Sequence, residues 1–90
     1  MKKKKYKRKK KCSIILRNDD YNTFDHVVTS LQEICGHNYF QAVQCSHLVH
    51  HVGKCEIFKD YCDLTTTIYE ELQHVGLTVE LIKWIFLKKY

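Results

Sequence analysis

Long apolar runs, glycine-rich loops and closely spaced cysteine pairs are all missing from this sequence. No apolar run approaches the roughly 18–20 residues of a membrane span, so we expect no membrane-spanning segment. Only three glycines occur in the 90 residues, and none belongs to a phosphate-binding loop. The chain is also too short for a TIM barrel or a complete dinucleotide-binding fold. The length of the chain therefore allows one small domain at most.

The start of the chain is strongly basic and is not followed by the apolar stretch of a signal peptide. We therefore expect a cytoplasmic protein, with an organelle address as the alternative interpretation of the basic start. Five cysteines are present: Cys12, Cys35, Cys45, Cys55 and Cys62. Their odd number and wide spacing favour reduced, buried side chains over a disulfide framework.

The net positive charge comes from the N-terminus. Residues 1–11 contain nine of the 15 Lys and Arg residues and no acidic residue, whereas residues 12–90 have a net charge of −4. A domain that wraps nucleic acid needs basic side chains spread over its folded surface, so nucleic acid is not an expected partner of the body. We expect residues 1–10 to be a disordered basic tail and residues 11–90 to form the folded domain.

Periodic apolar positions and capping residues predict six elements. The expected strands are Lys11–Leu16, Lys54–Lys59 and Leu77–Leu87; the expected helices are Phe24–Cys35 after the cap Thr23, Tyr39–Val52 after the cap Asn38, and a third opening at Asp63 or Thr65 and ending at Val75. Three strands are not stable alone. The β-α-α-β-α-β order therefore predicts an α+β fold, in which three helices cover a three-stranded antiparallel sheet.

The densest cluster of potential metal ligands is Cys45, His47, His50, His51 and Cys55. At about 100° per helical residue, we expect the three histidines to diverge, with His47 and His51 in solvent and His50 at the edge of the apolar face. Zinc needs four converging ligands, so we expect no metal and no cofactor. A Cys–His nucleophile needs an exposed cysteine of lowered pKa, but Cys45 falls on the core side, so we expect no enzyme activity.

Another polar feature is Asn18-Asp19-Asp20, between the first strand and the first helix. These residues serve either as a turn and helix cap or as oxygen acceptors for an ammonium group. A neutral His50 could join them as an acceptor. Val27 and Val49, with Phe24 nearby, would line a small hollow beside them. Such a site suits an amine attached to a bulky apolar group.

Three segments resemble the ClpS adaptor family. They are Asn18-Asp19-Asp20-Tyr21 with Thr23-Phe24-Asp25 and Val27-Val28; Gln41-Ala42, Gln44-Cys45, Val49-His50 and Gly53-Lys54-Cys55; and the closing Gly76-Leu77-Thr78-Val79-Glu80. The likeness runs from about Cys12 to Leu81 and preserves the spacing between the acidic loop and His50. Versions from Bacteroidetes-like bacteria look most similar.

This resemblance implies an adaptor and not an enzyme. Members bind proteins whose free N-terminus begins with Leu, Phe, Tyr or Trp, and deliver them to a Clp AAA+ unfoldase of the ClpA or ClpC type. By position, Asn18, Asp19 and His50 would contact the α-amino group. The side-chain pocket would be formed by Asp20, Asn22, Phe24, Val27, Ser46, Val49 and Val79.

Two pocket positions differ from the common family pattern, since Phe24 and Ser46 stand where many members have methionine. The short basic N-terminal segment and Lys54–Asp63 also differ, and these regions of the family take part in delivery. The alternative function is a small RNA-binding or ribosome-associated protein that acts through its lysine-rich tail. A metal or thiol enzyme is the third hypothesis.

Overall fold

The computed structural model describes residues 10–84, which form three strands and three helices. The elements are β1 Lys11–Arg17, α1 Phe24–Cys35, α2 Tyr39–Val52, β2 Lys54–Tyr61, α3 Cys62–His74 and β3 Val79–Lys83. The predicted disorder of the tail and the last residues of the predicted third strand lie outside the described residues. None of the helices in 10–84 is long and apolar enough to cross a membrane.

The sheet has the order β2-β1-β3, and both strand pairs are antiparallel. This arrangement confirms the predicted α+β fold. Central β1 is the most buried strand, and its register to β2 shifts between Ile14 and Ile15, which pair with Phe58 and Glu56. The residue between these partners, Ile57, is therefore a bulge whose side chain is buried in the core.

The helices pack against the sheet through a single core. Ile14 of β1, Leu31 of α1 and Leu72 of α3 are fully inaccessible to solvent. Burying a side chain of this size contributes about 1.5–3 kcal/mol. Helix α2 contributes the smaller Ala42 and Val49 to the same core, which lets it lie close to its neighbours.

The predicted bounds of α1 and α2 are confirmed. The Thr23 hydroxyl accepts a hydrogen bond from the backbone of His26, and Asn38 forms a reciprocal capping box with Gln41. Helix α2 ends at Gly53, whose φ of 106° is strained for any residue with a side chain. Its N–H donates to the carbonyls of Leu48 and Val49.

The start of α3 was predicted too late. The helix begins at Cys62, and the Thr65 hydroxyl donates back to the carbonyl of Tyr61 from inside the first turn. Strand β2 is correspondingly longer than predicted and runs to Tyr61. Strand β3 begins at Val79, two residues later than predicted.

One disulfide corrects the expectation that the cysteines are reduced. Cys12 and Cys62 are bonded across 50 positions of sequence. Strand pairing brings them together, since Cys12 pairs with Asp60 of β2 immediately before α3 begins. Cys35, Cys45 and Cys55 are free and half-buried, and burial raises the pKa of the Cys35 thiol to about 12.

Candidate functional site

A cavity of about 420 Å³ lies between the loop after β1, the start of α1 and the second half of α2. It is lined by Asn18, Asp19, Asp20, Asn22, Phe24, Val27, Ser46, His47, Val49, His50 and His51. Nine of the ten residues predicted for the site are in this lining. Val79 is not: it belongs to β3, pairs with Leu16 and is buried in the core.

Backbone hydrogen bonds bring the loop and α2 together. The Asn18 N–H donates to the carbonyl of Gly53 over 3.0 Å. Gly53 terminates α2 three residues after His50, so this bond fixes the end of the helix beside the acidic loop. On the other side, the Arg17 N–H donates to the carbonyl of Thr78 over 2.8 Å.

The carboxylate of Asp19 is fully occupied by hydrogen bonds from its own surroundings. One oxygen, Oδ1, accepts from the N–H groups of Tyr21 and Asn22 at 3.0 and 2.9 Å. The other, Oδ2, accepts from Asn22 Nδ2 at 2.7 Å and from the Thr78 hydroxyl at 2.6 Å. Two ionised oxygens offer about four acceptor sites in all, so Asp19 organises the loop.

This hydrogen bonding determines the charge of Asp19. Desolvation by burial acts to raise its pKa, but the bonds from Thr78, from the backbone and side chain of Asn22, and from the Tyr21 backbone outweigh it. Together they lower the pKa of Asp19 from 3.8 to about 2. Asp19 is therefore ionised at every physiological pH and adds a fixed negative charge to this side of the cavity.

Asn22 connects the loop to the segment before β3. Its Nδ2 donates both to Asp19 and to the carbonyl of Gly76, the latter over 3.0 Å. Sequence reasoning missed the roles of Thr78 and Gly76, because both contacts depend on the pairing of β1 with β3. The only signal was the Gly76–Glu80 motif, which was assigned to a strand.

Asp20 and His50 differ from Asp19 because their polar side-chain atoms are available to hydrogen-bond a ligand. Both side chains are exposed, and neither makes a hydrogen bond or ion pair with any residue in the described range. The side chain of Asn18 is likewise exposed and without a hydrogen bond to residues 10–84. The mouth of the cavity thus presents a carboxylate, an amide and an imidazole to an incoming molecule.

The deeper part of the cavity is apolar and small. Val49 and Ser46 are buried, and Val27 is half-buried. The Ser46 hydroxyl donates to the carbonyl of Ala42 over 2.8 Å, which uses its only proton inside the helix. Ser46 therefore leaves space for a ligand instead of offering it a hydrogen-bond donor.

His47 and His51 are exposed, as predicted, but the three histidines do not diverge, which corrects that part of the sequence-based expectation. His47, His50 and His51 all line the cavity, because the spacings i, i+3 and i+4 place residues on one helix face. The ring centroids of His47 and His51 are 5.9 Å apart, and those of His50 and His51 are 5.1 Å apart. Within residues 10–84, no three His, Cys, Asp or Glu side chains are arranged to hold a metal ion.

Comparison with known proteins identifies the family. A family model described as the ATP-dependent Clp protease adaptor protein ClpS matches residues 7–79. The chain belongs to the ClpS family. ClpS proteins are adaptors, and this membership agrees with the predicted absence of enzyme activity.

A solved ClpS structure gives independent support for the fold. The structure of Agrobacterium tumefaciens ClpS2 bound to L-phenylalaninamide superimposes with a TM-score of 0.80 and covers 86% of this chain and 100% of the other. Sequence identity is only 19%, so this likeness establishes the fold alone. No curated protein sequence matches the chain.

Proposed function

We propose that this ClpS protein is an N-degron adaptor whose cavity binds the free α-amino group and the first side chain of a substrate protein. The observation that carries the proposal is the pairing of available polar groups at the cavity mouth with a small apolar interior. The A. tumefaciens relative was solved with L-phenylalaninamide, which is a free amine attached to a bulky apolar side chain.

The α-amino group is mostly cationic near neutral pH, since its pKa is about 7.7–8.0. Asn18, Asp20 and a neutral His50 offer it three acceptors at the mouth of the cavity. The resemblance assigned direct contact to Asp19, but the four hydrogen bonds on that carboxylate favour an indirect role. We propose that Asp20 forms the ion pair, while Asp19 holds the loop and adds its charge at longer range.

The first side chain of the substrate enters the apolar part of the cavity, formed by Phe24, Val27, Ser46 and Val49. Val27, Ser46 and Val49 are small and leave room for a bulky side chain such as that of Leu, Phe, Tyr or Trp. An acetylated or internal amide has no charge and too few donors. It would leave Asp20 facing the ligand without the cation that a free amine supplies, so the charge-assisted hydrogen bond is lost.

Delivery to a Clp AAA+ unfoldase of the ClpA or ClpC type completes the proposed function. We propose that residues 11–90 form the adaptor domain, that residues 1–10 are a separate basic tail, and that the protein acts in the cytoplasm. Among the features of residues 10–84, the Cys12–Cys62 disulfide points away from a reducing compartment. The RNA-binding alternative depends on the tail, and the described residues contain no observation that favours it.

Binding is tested with a labelled peptide that begins with free Phe or Leu. We expect a Kd in the micromolar range or tighter, which corresponds to about −8 kcal/mol, and loss of binding on N-acetylation. Equal affinity for the acetylated peptide would rule out recognition of the amine. Delivery is tested separately, by adding the full chain to a Clp unfoldase and peptidase with a fluorescent reporter that begins with Phe.

A further inference from the structure

A continuous row of four aromatic rings borders the cavity. The centroids of Phe24 and His47 are 4.9 Å apart with their planes tilted by 49°. His47 stacks on His51 at 5.9 Å and 16°, and His51 meets His50 edge-on at 5.1 Å and 76°. All four residues line the cavity, so the row extends from the proposed amine site at His50 to the apolar side of the mouth at Phe24.

Such a row interacts differently with aromatic and aliphatic ligands. Aromatic rings attract each other in offset or edge-to-face arrangements at centroid separations of 4.5–7 Å, beyond what burial of area contributes. The contacts within the row already fall in this range. A Phe, Tyr or Trp side chain that enters beside His47 adds another ring pair of this kind, whereas a Leu side chain gains burial only.

We propose that His47 is a specificity-determining residue, and that the ring row makes the cavity select aromatic over aliphatic N-terminal residues. This inference rests on the proposed function. His47 is the central member of the row, because it contacts Phe24 on one side and His51 on the other. Its side chain is exposed at the cavity mouth, so replacing it leaves the buried core intact.

The test compares two peptides that differ only in a first residue of Phe or Leu, measured by fluorescence anisotropy with the full chain. In the wild type, we expect the Phe peptide to bind roughly 2- to 13-fold more tightly, the range that corresponds to aromatic pairing. His47→Leu replaces the ring with an aliphatic side chain of similar size, so the Phe-to-Leu affinity ratio should fall toward one. His47→Phe should preserve the ratio. Leu48→Ala is the matched control, because Leu48 is the next residue on α2 but does not line the cavity.

The outcomes separate this inference from the function on which it rests. If both peptides bind and the ratio is the same in the wild type and His47→Leu, the role of His47 is refuted while the adaptor function stands. A Phe-to-Leu affinity ratio near one in the wild type would also refute the inference and leave the adaptor function standing. If neither peptide binds, or if N-acetylation has no effect, the proposed function fails and the inference fails with it.

Discussion

The hydroxyl of Thr78 donates a 2.6 Å hydrogen bond to the carboxylate of Asp19, 59 positions earlier in the chain. This bond joins the segment just before β3 to the loop that borders the cavity. A second hydrogen bond joins the same two segments, because the Asn22 side chain in the loop donates to the carbonyl of Gly76. The shape of the loop therefore depends on a segment, residues 76–78, that contributes no residue to the cavity lining.

Removing the Thr78 hydroxyl should weaken ligand binding although Thr78 does not line the cavity. We expect Thr78→Val to lower the free energy of unfolding by about 1 kcal/mol and to reduce affinity for a free-amine peptide several-fold, because the loop loses one of its anchors. Thr78→Ser restores the donor and should restore both values. Urea denaturation and peptide titration measure the two effects, and full affinity in Thr78→Val would show that the anchor is dispensable.

The lowered pKa of Asp19 predicts a dependence of stability on acid. A carboxyl group with a pKa of about 2 in the folded state and 3.8 in the unfolded state stabilises the fold above pH 4. This contribution should be lost as the pH falls from about 4 to 2, since protonation removes the charge that the loop donors bind. Asp19→Asn should lack this component of the acid transition. Identical pH profiles for the two proteins between pH 5 and 2 would contradict the assignment.

Asp20 should matter for ligand binding and not for folding. Asp20→Asn removes the available charge at the cavity mouth, and loss of a charge-assisted hydrogen bond of about 1.5–3 kcal/mol corresponds to a roughly 10- to 100-fold weaker Kd for a free-amine peptide. Asp25→Asn is the matched control, since Asp25 lies in the first turn of α1 outside the cavity lining. Calorimetric titration checks both variants, and an unchanged Kd in Asp20→Asn would eliminate this ion pair.

His50 should contribute an acceptor to the amine site. His50→Ala removes the imidazole from the cavity lining, so we expect a several-fold weaker Kd for a free-amine peptide. His50→Gln keeps an acceptor and should retain more of the affinity. Peptide titration measures both variants, and an unchanged Kd in His50→Ala would remove His50 from the amine site.

Loss of the Cys12–Cys62 disulfide should destabilise the fold considerably. Closing a loop of 50 residues restricts the unfolded chain by about 4 kcal/mol in the chain-entropy model. We expect the double variant Cys12→Ser, Cys62→Ser, and the wild type in dithiothreitol, to unfold at lower denaturant concentrations. The reductant should have no effect on the double variant. If it also has no effect on the wild type, the bond is absent in solution.

The sequence predicted the helices that carry their own boundary signals. Thr23 and Asn38 start α1 and α2, and a glycine ends each helix, so local chemistry was sufficient. It did not predict the start of α3 or the disulfide. Both depend on where β2 pairs with β1, a relationship between positions that are distant in the chain.

The cavity was predicted from motif positions, but its details required the fold. The expectation that His47, His50 and His51 diverge followed the angular position of each residue around the helix. It neglected how close positions i, i+3 and i+4 bring long side chains at one helix face. Val79 was included from the closing motif of the family resemblance, but it pairs with Leu16 in the sheet and is not in the cavity lining.

Strand β1 has one further consequence. The strand starts next to Lys10, whose carbonyl accepts a hydrogen bond from the Cys62 N–H. It ends at Arg17, directly before the loop that borders the cavity. Seven extended residues separate these points by about 20 Å. A ligand in the cavity and a molecule that docks near Lys10 would thus contact opposite ends of β1, so each can bind while the other is in place.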